Sequence, residues 1–484
     1  MHAYPRLVIA GVRGGSGKTV VSLAVIAGLG SIKRLQVTPF KKGPDYIDAG
    51  WLSTAAGMPC YNLDPFFLSG ETIMNSFASH ARTDIAVIEG NRGLHDGMDA
   101  GGSCSTAELA KLLHAPVILV IDCTKMTRTS AAVVLGCMHL DTGVEIKGVV
   151  LNQVAGHRHE SVVRESINKY CSLPVLGVIP RLAEGELPER HMGLTPCQEH
   201  PDTAKVIALA EEIAAKYLDM DAIAGIAMAA EPLRTSPLPP FAKGEISVRI
   251  GVIRDAAFQF YYPENLEELE KNGAQIIDIN ALADAGLPDI DALYIGGGFP
   301  ETNALQLAGN AAFRDSVRTM IERGLPVYAE CGGLMFLGQS IVTDGGQYPM
   351  AGVFPIVFDM KKKPQAHGYT IVEVDSENPF YPVGTVLHGH EFHYSAVEEK
   401  IVEKMGTATV FNKITNSKTV AVPIFSTAFA MRRGKGIKDK RDGICYKNVL
   451  ATYTHVHALG SPEWAIGLIR CADKYRKKGT VTNG

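Results

Sequence analysis

A run of β-branched and apolar residues, RLVIAGV, leads directly into Gly11–Thr19, GVRGGSGKT, and then into a helix-forming stretch from Lys18 to Leu29. No other feature restricts the fold as much as this order of strand, Gly-rich turn and helix. Backbone N–H groups of such a turn converge on phosphate oxygens, and the helix dipole adds to the attraction. Gly14, Gly15, Ser16 and Gly17 would form the cradle. Lys18 would reach the β- and γ-phosphates, and the Thr19 hydroxyl would ligate Mg²⁺. A nucleoside triphosphate is therefore the expected ligand of this half. Gly11 lies six positions before Gly17, one more than in the common spacing.

Further apolar runs follow at DIAVIE (84–89), APVILVID (115–122), IKGVVLN (146–152) and VLGVI (175–179), with helical stretches between them. Continuous apolar strands of this kind imply a parallel sheet covered on both faces. A helical segment is expected over about 202–224. Four prolines between Pro232 and Pro240 then mark a linker. The α/β pattern restarts at VRIGVIRD (248–255), and strand and hairpin character increases from about 350 to 455. The expected division is 1–230, a linker at 231–246, and 247–484. A chain of 484 residues exceeds one ordinary core.

Two acidic segments suit the phosphate pocket. KKGPDYIDAG (41–50) carries Asp45, Tyr46 and Asp48 in a loop after strand-like LQVTPF, where Asp45 and Asp48 could serve a metal or the substrate. IEGNRGLHDG (88–97) puts Glu89 at a strand's carboxyl end, where α/β sheets bind ligands, and Asp96 in the next loop. Glu89 is the expected partner of Thr19 toward Mg²⁺, because carboxylate oxygens suit that ion.

The second half holds a different signature. In VYAECGGLMFLG, Cys331 follows a strand and precedes two glycines. A residue on such a turn is presented at the sheet edge beside backbone N–H groups. YIGGGFPE (294–301) is a second Gly-rich turn, so Gly297, Gly298 and Gly332 are candidates for an oxyanion hole. A thiol needs a base, and His455 in YTHVHALG is the candidate. Of His455 and His457, only one is expected to face the thiol. His388, His390 and His393 in LHGHEFHYS read as a polar cleft wall rather than a metal cluster.

Composition closes off several classes. The net charge of −4 offers no basic excess for nucleic acid. No apolar run reaches a membrane-spanning length, and no signal peptide is expected. Nine cysteines without CxxC spacing suggest reduced thiols in a cytoplasm.

Together these motifs resemble the cobyrinic acid a,c-diamide synthase family. GSGKT, KKGPDYIDAG, EGNRGLHDG and PERHMGL (188–194) are similar to its synthetase domain, which is related to dethiobiotin synthetase. GGGFPE, AECGGLMFLG and HGHEFHYS are similar to its class I glutamine amidotransferase domain. The resemblance implies two α/β domains, one dethiobiotin-synthetase-like and one flavodoxin-like. It also implies ATP- and L-glutamine-dependent amidation of the a and c acetates of a tetrapyrrole, cobyrinate, in cobalamin biosynthesis. Cys331 would be the nucleophile and His455 its base. Asp45, Tyr46, Asp48 and Asp96 would serve the acyl-phosphate step or the substrate carboxylates. A homodimer is compatible with such a chain.

Two departures stand out. Ordinary triads read His-x-Glu, whereas His455-Val456-His457 has no Glu, which leaves the third member unassigned. Asn91-Arg92 replaces residues that are small or apolar in many corrin synthases, so sirohydrochlorin, its nickel form and sirohaem stay open as substrates. A partitioning-type nucleotide switch would leave the cysteine half without a role, and dethiobiotin synthetase itself would need no glutaminase.

Overall fold

The first strand, Arg6–Gly11, is buried at every position, which requires cover on both faces of its sheet. The computed structural model describes residues 3–182, 189–190, 193–194, 196–200, 202–233, 245–397 and 425–482. Contacts divide the chain into two units, Met1–Pro240 and Phe241–Gly484. Most of the expected linker, residues 234–244, lies outside the described residues, as do 188, 191 and 192 of PERHMGL.

The first unit has strands β1 (Arg6–Gly11), β2 (Val37–Lys41), β3 (Tyr61–Asn62), β4 (Ile85–Gly93), β5 (Val117–Asp122), β6 (Ile146–Val154) and β7 (Val175–Pro180). They form one parallel sheet in the order β3-β2-β4-β1-β5-β6-β7. Two short strands, β8 (Glu189–Arg190) and β9 (Gly193–Leu194), pair with each other. Helix α1 (Lys18–Ser31) lies almost wholly in the core, so its apolar residues encircle it rather than line one face. The crossover from β1 to β2 passes over β4, whereas β5 lies on the other side of β1. The chain thus reverses direction across the sheet at β1. Such a switch opens a crevice at the carboxyl ends of the strands. The single helix expected over 202–224 is two helices, Thr203–Tyr217 and Met220–Met228. Asp219 caps the second through the Ala222 N–H, so the chain restarts there instead of continuing.

The second unit has strands β10 (Val248–Ile253), β11 (Ala274–Ile279), β12 (Ala292–Ile295), β13 (Val327–Glu330), β14 (Ser340–Thr343), β15 (Gly346–Pro349), β16 (Val357–Met360), β17 (Ala366–Val374), β18 (Val386–His393), β19 (Ser395–Val397), β20 (Ser426–Arg433), β21 (Arg441–Tyr446), β22 (Val449–Thr452) and β23 (His455–Val456). Its main sheet runs β11-β10-β12-β13-β22-β21-β20-β17-β18-β23. The first five strands are parallel and follow the flavodoxin-like order 2-1-3-4-5. The remaining five extend the sheet in antiparallel fashion. A small sheet, β15-β14-β16-β19, accompanies it. No helix among the described residues is long and apolar enough to cross a membrane.

The two tryptophans, Trp51 and Trp464, are fully buried, one in each unit. Phe313 fills the core of the second unit beside Phe336, with no exposed surface. Phe313→Ala is expected to destabilise that unit by about 3–5 kcal/mol. The check is the urea midpoint of Trp464 emission in a Trp51→Phe background, which should fall clearly below that of the Trp51→Phe parent.

Candidate active sites

Glycine is required at two points of the phosphate loop. Gly15 and Gly17 have φ of 74° and 87°, a left-handed conformation that costs other residues energy. A Cβ on Gly17 would also lie 2.0 Å from Asn152 Nδ2. That amide donates to the Ser16 carbonyl at 3.0 Å. The loop is held from within by the Ser16 hydroxyl, which donates to the Arg13 carbonyl at 2.9 Å. It is held from outside by Arg13, which pairs with Asp122 at the end of β5 at 2.6 Å. Among the described residues no side chain caps the N-terminus of α1.

Behind the loop stands a cluster of charges. The Thr19 hydroxyl donates to Glu89 Oε1 at 2.8 Å and lies 3.3 Å from Asp48 Oδ2. Lys41 Nζ donates to Glu89 Oε1 at 2.9 Å and Asp48 Oδ2 at 3.0 Å, with Asp45 Oδ2 at 3.7 Å. Register explains the meeting, since Lys41 and Glu89 are directly paired at the ends of β2 and β4. Burial disfavours the Lys41 cation, but Asp48, Glu89 and Asp45 outweigh it and hold the ammonium well above its usual range. Burial, then the Lys41 charge, pushes Lys18 down. Burial raises Glu89, and burial followed by the Asp48 charge raises Asp45. Burial also works against the Asp48 carboxylate, but Lys41 overcomes it and lowers Asp48.

Asp45, Asp48 and Glu89 therefore gather around Lys41, a lysine that the motif had been read without, and Thr19 meets Asp48 and Glu89. Tyr46 precedes helix α2 (Ile47–Ala56), whose first turn carries Asp48. Asp96 is placed differently. It is exposed, and its Oδ2 accepts the Gly93 N–H at 2.8 Å. That bond ties the loop after β4. No three or more His, Cys, Asp or Glu side chains among the described residues gather to hold a metal by themselves, and this includes the histidines of LHGHEFHYS.

The cysteine site is built on strain. Cys331 has φ 49° and ψ −99°, an unfavourable conformation for a side-chain-bearing residue. It is held there by its own N–H, which donates to the Thr452 carbonyl at 2.7 Å, and by the Gly333 N–H on the Gly296 carbonyl at 3.1 Å. The elbow is pressed onto the turn after β12. A Cβ on Gly332 would lie 3.0 Å from the Gly298 nitrogen, and one on Gly333 would lie 2.5 Å from the Ile295 carbonyl oxygen. Gly297, Gly298 and Gly332 thus line one small region. The His455 ring abuts the same turn, because a Cβ on Gly297 would meet its Cε1 at 2.5 Å and Nε2 at 3.3 Å.

The thiol donates to the Phe392 carbonyl at 3.7 Å. Burial, then the Glu301 charge, holds it well above the usual thiol range. His455 Nδ1 lies 3.5 Å from Glu330 Oε2. Its ring stacks on His390 at 4.8 Å, across the β18–β23 pair. His457 is held elsewhere, with Nε2 at 3.6 Å from Glu264 Oε1 and its ring against Tyr262. Asp442, fully buried, accepts bonds from the Thr452 and Thr454 hydroxyls and the Tyr453 and Thr454 N–H groups. It thereby organises the segment between the Cys331 anchor and His455. Lys41, Glu330 and Asp442 were not singled out from sequence. Lys41 and Glu330 sit inside quoted motifs at strand ends, which was the available signal.

Residues 7–194 match the CobQ/CobB/MinD/ParA nucleotide binding domain family. Residues 249–463 match the CobB/CobQ-like glutamine amidotransferase domain family. The chain is 41% identical to the cobyrinate a,c-diamide synthase of Magnetococcus marinus, covering 99% of both chains. It is 40% identical to that of Archaeoglobus fulgidus, over 97% of this chain and 98% of the relative. It is 37% identical to that of Methanothermobacter thermautotrophicus, over 96% and 99%.

A thiol held above its usual range carries less thiolate at neutral pH than free cysteine does. Alkylation of Cys331 by iodoacetamide, without glutamine, should therefore be at least about tenfold slower than that of free cysteine at about pH 7.5. It should still be rising at about pH 9. Peptide mass spectrometry isolates this site from the other eight cysteines. A plateau near neutral pH would contradict the thiol state described.

Proposed function

The chain belongs to the cobyrinate a,c-diamide synthase family, and on that premise we propose how its two sites share one reaction. It is an ATP-dependent carbon–nitrogen ligase with glutamine as amido donor. It amidates the a and c acetate carboxylates of cobyrinate in cobalamin biosynthesis. Full-length similarity to synthases of that name favours this ring over other tetrapyrroles.

Forming an amide from a free carboxylate is uphill, so the carboxylate is first phosphorylated by ATP. The loop N–H groups of Gly14–Thr19 and Lys18 hold the phosphates. Lys18 and the helix N-terminus stabilise the charge of the transferring phosphoryl group. Glu89 and Thr19 fit a Mg²⁺ ion. Glu89 Oε2 is buried and has no hydrogen-bond partner among the described residues, and Mg²⁺ needs only one or two carboxylates beside phosphates and water. Bound with the nucleotide, the ion supplies neutralising charge at the phosphates. Lys41 keeps the neighbouring carboxylates from repelling those phosphates, and Asp45, Tyr46 and Asp48 border the place for the substrate carboxylate. Asp96 acts through the loop that it ties.

In the second unit His455 takes the Cys331 proton, and the sulfur attacks the glutamine amide carbon. The oxyanion is met by N–H groups among Gly297, Gly298 and Gly332. Collapse expels ammonia and leaves a thioester, which water converts to glutamate and free thiol. Ammonia attacks the acyl phosphate, forming the amide and releasing phosphate.

The observation that carries this reading is the pairing of a strained Cys331 elbow with His455 at one glycine turn, in a chain that also holds a complete phosphate loop. Cys331→Ala is expected to abolish glutamine-dependent amidation while leaving amidation by ammonium salts. Lys18→Ala should lower amidation from either nitrogen source by roughly a hundredfold or more. Both are read as amide product by mass, with cobyrinate as substrate. Loss of ammonia-driven amidation in a folded Cys331→Ala protein would overturn the division of labour.

A further inference from the structure

We propose that Glu330, the residue immediately before the nucleophile, is the carboxylate that orients His455. The inference rests on the reading of Cys331 and His455 as thiol and base, and it supplies the third member that the His-Val-His segment lacks.

Glu330 ends β13 and is 1% exposed. Two donors from different elements fix its carboxylate. The Val456 N–H donates to Oε1 at 3.1 Å, and the Tyr294 hydroxyl donates to Oε2 at 3.2 Å. Oε2 also stands 3.5 Å from His455 Nδ1. A carboxylate at Nδ1 favours the tautomer with its proton there and makes Nε2 the accepting nitrogen. The Cε1–Nε2 edge of the ring faces the Gly297 turn, and Gly332, next to Cys331, packs against Gly298 of the same turn. At 3.5 Å the contact is longer than a strong N–H···O bond. Its contribution grows when the ring gains a proton and becomes a cation beside the carboxylate.

The other groups around His455 do not offer this service. His390, stacked on the ring, is held well below the usual histidine range by burial and then by the His455 charge. It brings no negative charge. Glu301 and Asp442 act on the Cys331 thiol, which they push up. Asp442 is occupied by the 452–454 segment. His457 stands where ordinary triads carry Glu, but its ring is directed to Glu264.

Glu330 touches no substrate in this scheme and is a positioning residue. Glu330→Gln keeps the shape and removes the charge. Glutamine hydrolysis should lose about a hundredfold or more in kcat, with KM for glutamine within about twofold. Ammonia-driven amidation should stay at the wild-type rate. A purely structural role, a disturbed elbow or pocket, would raise KM together with the loss of kcat. Wild-type kcat, or a KM that rises in step with the loss, would overturn the inference. Cys331→Ala is run in parallel. If it still hydrolyses glutamine, the underlying reading fails instead. Should Glu330→Gln not fold, Glu330→Asp is measured. It retracts the charge by one carbon and should lower kcat about tenfold at unchanged KM, and wild-type kcat there would equally overturn the inference.

Discussion

Parallel strands cannot return by hairpins, so all their carboxyl ends emerge along one edge. Both sites depend on that constraint. In the first unit β1, β2 and β4 deliver the phosphate loop, Lys41 and Glu89 to neighbouring positions, and the register pairs the last two directly. In the second, β12 and β13 deliver the Gly296–Gly298 turn and the Glu330–Cys331 step side by side. Residues far apart in sequence meet because the sheet order brings their strand ends together. No single loop has to build either site.

The charges at these edges are expensive. A buried ion pair recovers its desolvation cost only with good geometry and further hydrogen bonds. Lys41 is 2% exposed and Glu89 is fully buried, yet they are joined with Asp48 and Thr19 in one cluster. An apolar replacement of similar volume would serve stability as well. Such a cluster is better explained by what it does for a polyanionic ligand. In the proposed function it keeps carboxylates close to the phosphate site without the repulsion that bare carboxylates would exert. Lys18, pushed down by burial and by Lys41, is the cation in this group with the most to gain from an arriving phosphate.

Much of this was legible in the sequence, for physical reasons. A strand, a glycine turn and a helix start leave a strong local trace, so Gly14–Thr19 and the Cys331 elbow could be read directly. The restart of an α/β pattern at 248–255 was likewise legible in its apolar run, whereas Val449–Thr452, the fifth parallel strand, was not. Long-range pairing leaves no such trace. Lys41 meets Glu89 only through the β2–β4 register, and Asp442 reaches the 452–454 segment only by buried hydrogen bonds. The helix break near Asp219 was hidden because both flanking segments are good helix formers and the cap is one short side chain.

The choice between His455 and His457 shows where local reading ends. Residues two apart on a strand share a face, so alternation cannot separate them. Their surroundings do. His455 opposes His390 across a strand pair and borders Glu330 and Gly297. His457 follows the end of β23 and is drawn to Glu264, at the start of the helix Pro263–Lys271. Asn265 of that helix takes the Ala458 N–H at 2.7 Å and donates to the Val456 carbonyl at 3.0 Å. The helix thus anchors the backbone on both sides of His457. Its grip fixes the chain beyond β23, while the Asp442 network fixes it before. Held at both ends, the segment has little freedom to exchange one imidazole for the other. The proposed base is therefore selected by the elements that clamp the strand, not by the strand's own sequence.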